Sequence, residues 1–346
     1  MLLTHQILFE PLVRQALKLA PDAVLHDSYA YWGKRLAAAL SLPAAALIPN
    51  YLIPRQAFQA NPAEFANVVF DMGTDQAKKL PKQIDMIEKL LKKKHSLHQV
   101  NLFDFMLNRE ALNVVFSIRE IQMYASALDQ SFYYVGASLV PSGWRDQMFT
   151  KFLSEGRPIV YVAMGTVINN DTDFYQMCLE VAKQLKAYYF VLSVGKEVPV
   201  EAMDKPENVY MDNGLPQCDI LSHASVFITH AGHNSVNEAL YHGVPMILHP
   251  LGNEQYVISQ AMERLKLGVY HRGETVTKES LIRDITEVME NPSYRENLAS
   301  YKKRYRNAGG ADLAASRITD HFIMKIRDRD RNNEKRDDFN GMEKYI

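Results

Sequence analysis

Residues 226–250 read VFITHAGHNSVNEALYHGVPMILHP. The segment opens on an apolar run ending at Thr229, the pattern of a strand buried on both faces. A turn, His230–Ala231–Gly232–His233, leads into a helical pattern that starts near Asn234. Gly243–Val244–Pro245 stops the helix and opens the next strand. Strand, turn, helix and strand form the unit of a parallel sheet, and ligands of such sheets bind beyond the carboxyl ends of the strands. The helix start offers unpaired N–H groups and the positive end of a dipole, which suits a phosphate. Gly232 lets a ligand approach the backbone closely, and Asn234 and Ser235 add side-chain donors in the first turn. Glu238 lies four residues after Asn234, one turn along the same face, where a carboxylate can accept both hydroxyls of a ribose. Each residue alone is an ordinary helix residue; their joint pattern points to a nucleotide.

The alternation continues on both sides. Strands are expected at 158–163, 188–194, 208–210, 225–229, 245–248 and 268–271, with helices at 174–187, 216–222, 234–241 and 254–266 between them. Helices at 278–290, 292–306 and 311–326 follow, and the polar residues 327–346 read as a frayed tail. In the first half, 23–26, 44–48, 113–116 and 132–135 read as strands, with helices at 32–40 and 81–98. The lysines at 92, 93 and 94 read as a solvated face. Pro, Ser and Gly cluster at 137–144 between the two periodic regions. The fold class is therefore α/β with parallel sheets, divided into 1–140, 141–318 and a terminal helix end and tail at 319–346.

A chain of 346 residues exceeds a single core. Lys+Arg number 39 and Asp+Glu 40, a balance that argues against a dedicated nucleic-acid binder. The two cysteines, Cys178 and Cys218, exclude a disulfide framework and a four-cysteine metal site, and fit a cytoplasmic setting. The most apolar stretch, 36–48, contains Pro43 and is too short to span a bilayer, and 1–15 lacks signal-peptide character, so no integral membrane contact is expected.

The run THAGHNSVNEALYHGVP, with Leu215–Pro216–Gln217 before it and Glu254–Gln255 after it, resembles the donor-site signature of family 1 UDP-glycosyltransferases, most of all the bacterial macrolide-type members. The signature spans 214–255, and a looser likeness runs over 12–319. The resemblance implies the B-type glycosyltransferase fold, two facing Rossmann-like domains with the active site between them. It implies that His230 contacts a UDP phosphate, that Gly232, Asn234 and Ser235 complete the diphosphate cradle, and that Thr166 faces the same phosphates from the loop after the domain's first strand. It further implies that Glu238 holds the ribose beside Gln217, that the backbone of Leu215 meets the uracil edge, and that Glu254 and Gln255 face the donor sugar. The implied reaction moves a hexosyl group from a UDP-sugar to a hydroxyl of a small apolar acceptor, with inversion and without a metal or cofactor. The loops at 29–32 and 50–58 are the expected acceptor walls. Asp171–Thr172–Asp173 mimics a metal-binding Asp-x-Asp, but it precedes a helix and reads as a cap.

Three departures stand out. Gly214 occupies the place where relatives carry an aromatic ring on uracil, which leaves a thymidine donor open. His233 replaces a frequent Trp and reads as lying behind the cradle. Asp27, in PDAVLHDSYAYWG at 21–33, matches the aspartate that supports the family's catalytic histidine, but the Gly-His loop that carries this histidine in relatives is not found. On this reading the resemblance implies about two further βαβ units, roughly 60–90 residues, before Met1, and His5 or His26 would be the fallback base. The expectation is a chain that binds nucleotide and turns over poorly, and the rival reading is a nucleotide-sugar-binding module without its own catalysis. An upstream translation in the same frame separates the two.

Overall fold

A computed structural model describes residues 2–95, 102–139, 141–166, 169–252, 254–273 and 275–342. The first half builds a sheet from β1 (Val24–Asp27), β2 (Ala44–Ile48), β3 (Asn113–Val115) and β4 (Phe132–Tyr134), in the order 1-2-3-4 with every ladder parallel. The second half builds one from β5 (Ile159–Ala163), β6 (Tyr189–Val194), β7 (Val209–Asn213), β8 (Val226–Thr229), β9 (Met246–Leu248) and β10 (Gly268–Val269), in the order 10-9-8-5-6-7 and again all parallel. Every residue of β5 and β8 is buried, as apolar runs covered by helices on both faces must be. The strand order reverses between β5 and β8. The chain leaves these two neighbours in opposite directions along the sheet, which opens a crevice at their carboxyl ends. The expected strands form within one to three residues of their predicted limits.

Two features differ from the sequence reading. The first half holds helices at Arg55–Ala60, Pro62–Phe70, Thr74–Ala77 and Leu102–Leu107, besides an N-terminal helix at Leu2–Leu19. These runs are too short for a clear 3.6-residue period, although Asn61 caps one of them by accepting the Glu64 N–H at 3.1 Å, with Pro62 in the first turn. Second, the last helix runs from Gly310 to Met342 instead of fraying at 327. Residues 327–340 contain no glycine or proline and mix charges of both signs, so nothing local stops the helix. Residues 343–346 lie outside the described residues, as does His98 of the expected 81–98 helix, which is described as Leu80–His95.

The two halves share one core. Phe65 and Ile121 from the first half and Phe227, Val236 and Leu240 from the second belong to a single buried cluster. The closing helix returns to the first sheet, where Ala314 packs with Ala45, Val114 and Val135. The connecting segment is anchored by Asp219, which accepts from the Ser142 N–H at 3.0 Å and the Gly143 N–H at 3.1 Å. No described helix is long and apolar enough to cross a membrane.

Candidate active site

The crevice beyond β5 and β8 has a volume of about 900 Å³. Thr166, Leu215, Gln217, His230, Gly232, Asn234, Ser235, Glu238 and Glu254, all named from the sequence, line it. His230 sits at its centre. A Cβ built on Gly165 would lie 2.6 Å from the imidazole, and one on Gly232 would lie 2.4 Å from it. Both glycines are therefore needed for the ring to be there, and Gly165 also has φ +84°. Burial holds His230 below the ordinary histidine range, so it is neutral near pH 7. Its Nδ1 is buried with no hydrogen-bond partner among the described residues. An imidazole in this state has one unused polar atom and no counter-charge, which suits it to a ligand that brings its own.

The helix behind it, His233–His242, starts at Gly232, which has no side chain to cap the first N–H groups. Ala231 reaches that start through φ +64°, a left-handed conformation rare for a residue with a Cβ. Gln217 ties two of the crevice's side chains together: its Nε2 donates to Ser235 Oγ at 3.2 Å and to Glu238 Oε2 at 3.0 Å. Burial raises the Glu238 carboxyl above its ordinary range, while Gln217 opposes that shift. The Leu215 N–H donates to Ser193 Oγ at 3.0 Å. Gly214 has φ +73° and nothing within 4 Å of a Cβ built on it, so the base of a side chain there would meet open space.

A sequence profile described as "UDP-glucoronosyl and UDP-glucosyl transferase" matches residues 134–308, half of the chain and all of this crevice's donor side. The chain belongs to that family. It is 31% identical to "NDP-glycosyltransferase YjiC" of Bacillus licheniformis over 301 residues, 86% of this chain and 72% of the relative. It is 25% identical to "Oleandomycin glycosyltransferase" of Streptomyces antibioticus over 86% of this chain and 67% of that one. The solved structure titled "Crystal Structure Analysis of the Glycotransferase of kitacinnamycin" superposes with a TM-score of 0.72 at 23% identity, covering 91% of this chain and 79% of the other. The fold is the B-type glycosyltransferase fold, and the protein is a glycosyltransferase of the bacterial macrolide type.

A second cavity of about 670 Å³ opens beside the glycosyltransferase's donor crevice. Its walls are mainly apolar, among them Tyr51, Phe65, Val69, Ile84 and Phe103. Tyr29, Asn50 and Glu254 line both spaces, so the two meet at these three side chains. Tyr29, Asn50, Tyr51 and Ile53 come from the loops expected as acceptor walls. Most of the remaining walls come from the helices Pro62–Phe70, Leu80–His95 and Leu102–Leu107, of which sequence reasoning found one, the amphipathic helix expected at 81–98, without placing it at a cavity. The alternation of Ile84 and Ile87 with lysines in 81–98 was the available signal.

Two residues named from the sequence are not brought to the crevice. Gln255 Oε1 accepts from the Leu251 N–H at 2.7 Å and the Gly252 N–H at 3.2 Å, so its amide closes the loop ahead of its own helix. Asp27 ends β1 and accepts from the Tyr29 N–H at 2.7 Å, without itself lining either space. Partial burial, helped by Glu254 and Asp27, pushes the Tyr29 phenol up to about 12. His26, one fallback base, is buried and committed elsewhere: its Nδ1 lies 3.0 Å from the Asp27 carbonyl and its Nε2 3.1 Å from Glu110. The His5 side chain lies outside the described residues. Asp171 caps the helix Thr172–Gln184, its Oδ1 accepting the Phe174 N–H at 3.0 Å.

Proposed function

We propose that this glycosyltransferase moves a hexosyl group from a UDP-sugar to a hydroxyl of a small, flat, apolar acceptor. The observation that carries this reading is the shared wall: a polar, phosphate-suited crevice and an apolar cavity meet at Tyr29, Asn50 and Glu254. The helix start and His230 would take the diphosphate, Glu238 and Gln217 the ribose, and Glu254 the sugar hydroxyls at the junction. The acceptor hydroxyl then attacks the anomeric carbon from the side opposite UDP, which inverts that centre. The attacking oxygen gives up its proton to a general base, a role in which Asp27 would support a histidine; the Gly-His loop that carries this histidine in relatives is not found in the sequence, and the base is the part of the reaction that the described crevice does not supply. The C–O bond to UDP breaks, and its charge is received by preorganised N–H donors, the part of such a mechanism that supplies most of the rate. No metal has a place in this scheme.

The test incubates the protein with UDP-glucose and 2-naphthol, a flat apolar phenol, with and without EDTA. Mass spectrometry should find the naphthyl hexoside, formed at equal rates in both samples, and the anomeric coupling in proton NMR should show the β configuration. A retained α configuration, or loss of activity with EDTA, would overturn the proposed chemistry. Binding of UDP with no transfer to any of a panel of phenols would instead favour a binding module.

A further inference from the structure

His233 stands directly after the diphosphate turn and lines the crevice, and both its ring nitrogens reach into the first half of the chain. Its Nδ1 is 2.7 Å from the Pro49 carbonyl oxygen and its Nε2 is 3.3 Å from Gln122 Nε2. A carbonyl only accepts, so Nδ1 carries the hydrogen and Nε2 must accept from the Gln122 amide N–H. That orientation leaves Gln122 Oε1 to accept the Leu52 N–H, which it does at 3.1 Å. The circuit closes through Tyr51, whose ring meets the His233 ring edge-on at 5.9 Å and whose hydroxyl donates to the Ile121 carbonyl at 2.8 Å while accepting the Met123 N–H at 2.5 Å. Every polar atom of the His233 and Gln122 side chains has a partner, and all three side chains are buried. Burial also keeps the imidazole neutral, down to about 4, so the pattern persists across working pH.

The loop so held, residues 49–52, contributes Pro49 and Asn50 to the donor crevice and Asn50 and Tyr51 to the apolar cavity. The helix start that holds it contributes Gly232, Asn234 and Ser235 to the diphosphate cradle. We infer that His233 and Gln122 are positioning residues that fix the acceptor wall 49–52 to the diphosphate-binding helix start, so that occupation of the donor site sets the acceptor wall. The coupling rests on the donor reading above. A large apolar ring in place of His233 could fill the same space but could not carry the two hydrogen bonds. The coupling is therefore specific to the histidine and its glutamine.

The experiment is amide hydrogen exchange over residues 49–53 with and without UDP, in the parent, His233→Phe and Gln122→Met, with UDP affinity measured by calorimetry on the same samples. Without UDP, both variants should exchange about fivefold faster or more over 49–53, the factor for one net hydrogen bond. With UDP, the parent should become more protected there, and both variants should bind UDP within about threefold of the parent but show no added protection. Gln122 does not itself line the crevice, so Gln122→Met carries the test if His233→Phe fails to fold or changes UDP binding directly. Unchanged exchange in the unliganded variants would overturn the clamp, and UDP-dependent protection surviving in them would overturn the coupling. A parent that binds UDP and shows no protection would also overturn the coupling. A parent that binds no UDP would instead overturn the donor reading together with the coupling, while the unliganded comparison still judges the clamp.

Discussion

Replacing Glu238 by alanine removes the carboxylate that stands one turn above the diphosphate turn. One of its oxygens accepts from Gln217 at 3.0 Å, and each carboxylate oxygen has two lone pairs, so both remain open to ribose hydroxyls. A hydrogen bond to an ionised group contributes about 1.5–3 kcal/mol. Losing one to two of them should weaken UDP roughly tenfold to several-hundredfold. The raised carboxyl adds a second consequence. A carboxyl that holds its proton more tightly folded than unfolded costs stability at pH above both values, and the cost disappears once pH falls below the ordinary value of about 4.3. Glu238→Gln should therefore melt at the same or a higher temperature than the parent at pH 7, with the difference closing near pH 4, while UDP affinity falls.

The ligand dependence has the opposite sense. Ribose hydroxyls donate best to the ionised form, so UDP affinity of the parent should fall as pH drops through the raised carboxyl's range, and that of Glu238→Gln should not. Calorimetric titration with UDP from pH 7.5 to 5, beside thermal melts, reads both. A Glu238→Ala affinity within twofold of the parent would refute the ribose assignment. A Glu238→Gln variant that melts clearly lower would refute the account of the buried charge.

Gly214→Trp should lower the melting temperature, because φ +73° strains any side chain by about 1 kcal/mol, yet tighten UDP, because base–aromatic stacking adds about 1–3 kcal/mol and the place is open; weaker UDP binding would mean that another group already holds the base. UDP binding near pH 6 should draw a proton onto His230, since a diphosphate raises an imidazole that burial alone has lowered, and titrations in two buffers of different ionisation heat should show the uptake in the parent and lose it in His230→Gln.

How much of this was legible from the chain depends on how local each feature is. The residues proposed for the diphosphate and ribose fall within one strand, one turn and two turns of helix, and a contiguous pattern carries its geometry with it. Thr166, Leu215 and Gln217 lie far away in sequence, but each follows a strand of the same parallel sheet, and all three line the one crevice at the strands' carboxyl ends. Gln255 shows where pattern reasoning stops. Its position is within reach of the crevice, but two unpaired N–H groups in the loop before it claim the amide, and such local competition leaves no trace in spacing.

The apolar cavity is the opposite case from the cradle. Phe65, Ile84 and Phe103 come from three helices, and in isolation each reads as an ordinary core residue. They belong to the buried core shared by the two halves and at the same time wall the cavity, with Phe65 packed on Phe103 at 5.8 Å and Phe58 on Phe103 at 5.4 Å. The direction of that wall is then fixed across the divide, by Gln260 Nε2 donating to the Val68 carbonyl at 3.0 Å and by Arg272 paired with Asp71 at 2.8 Å. The proposed donor site is thus carried by a contiguous signature that a sequence displays, while the walls of the apolar cavity are set by long-range packing that only the folded chain displays.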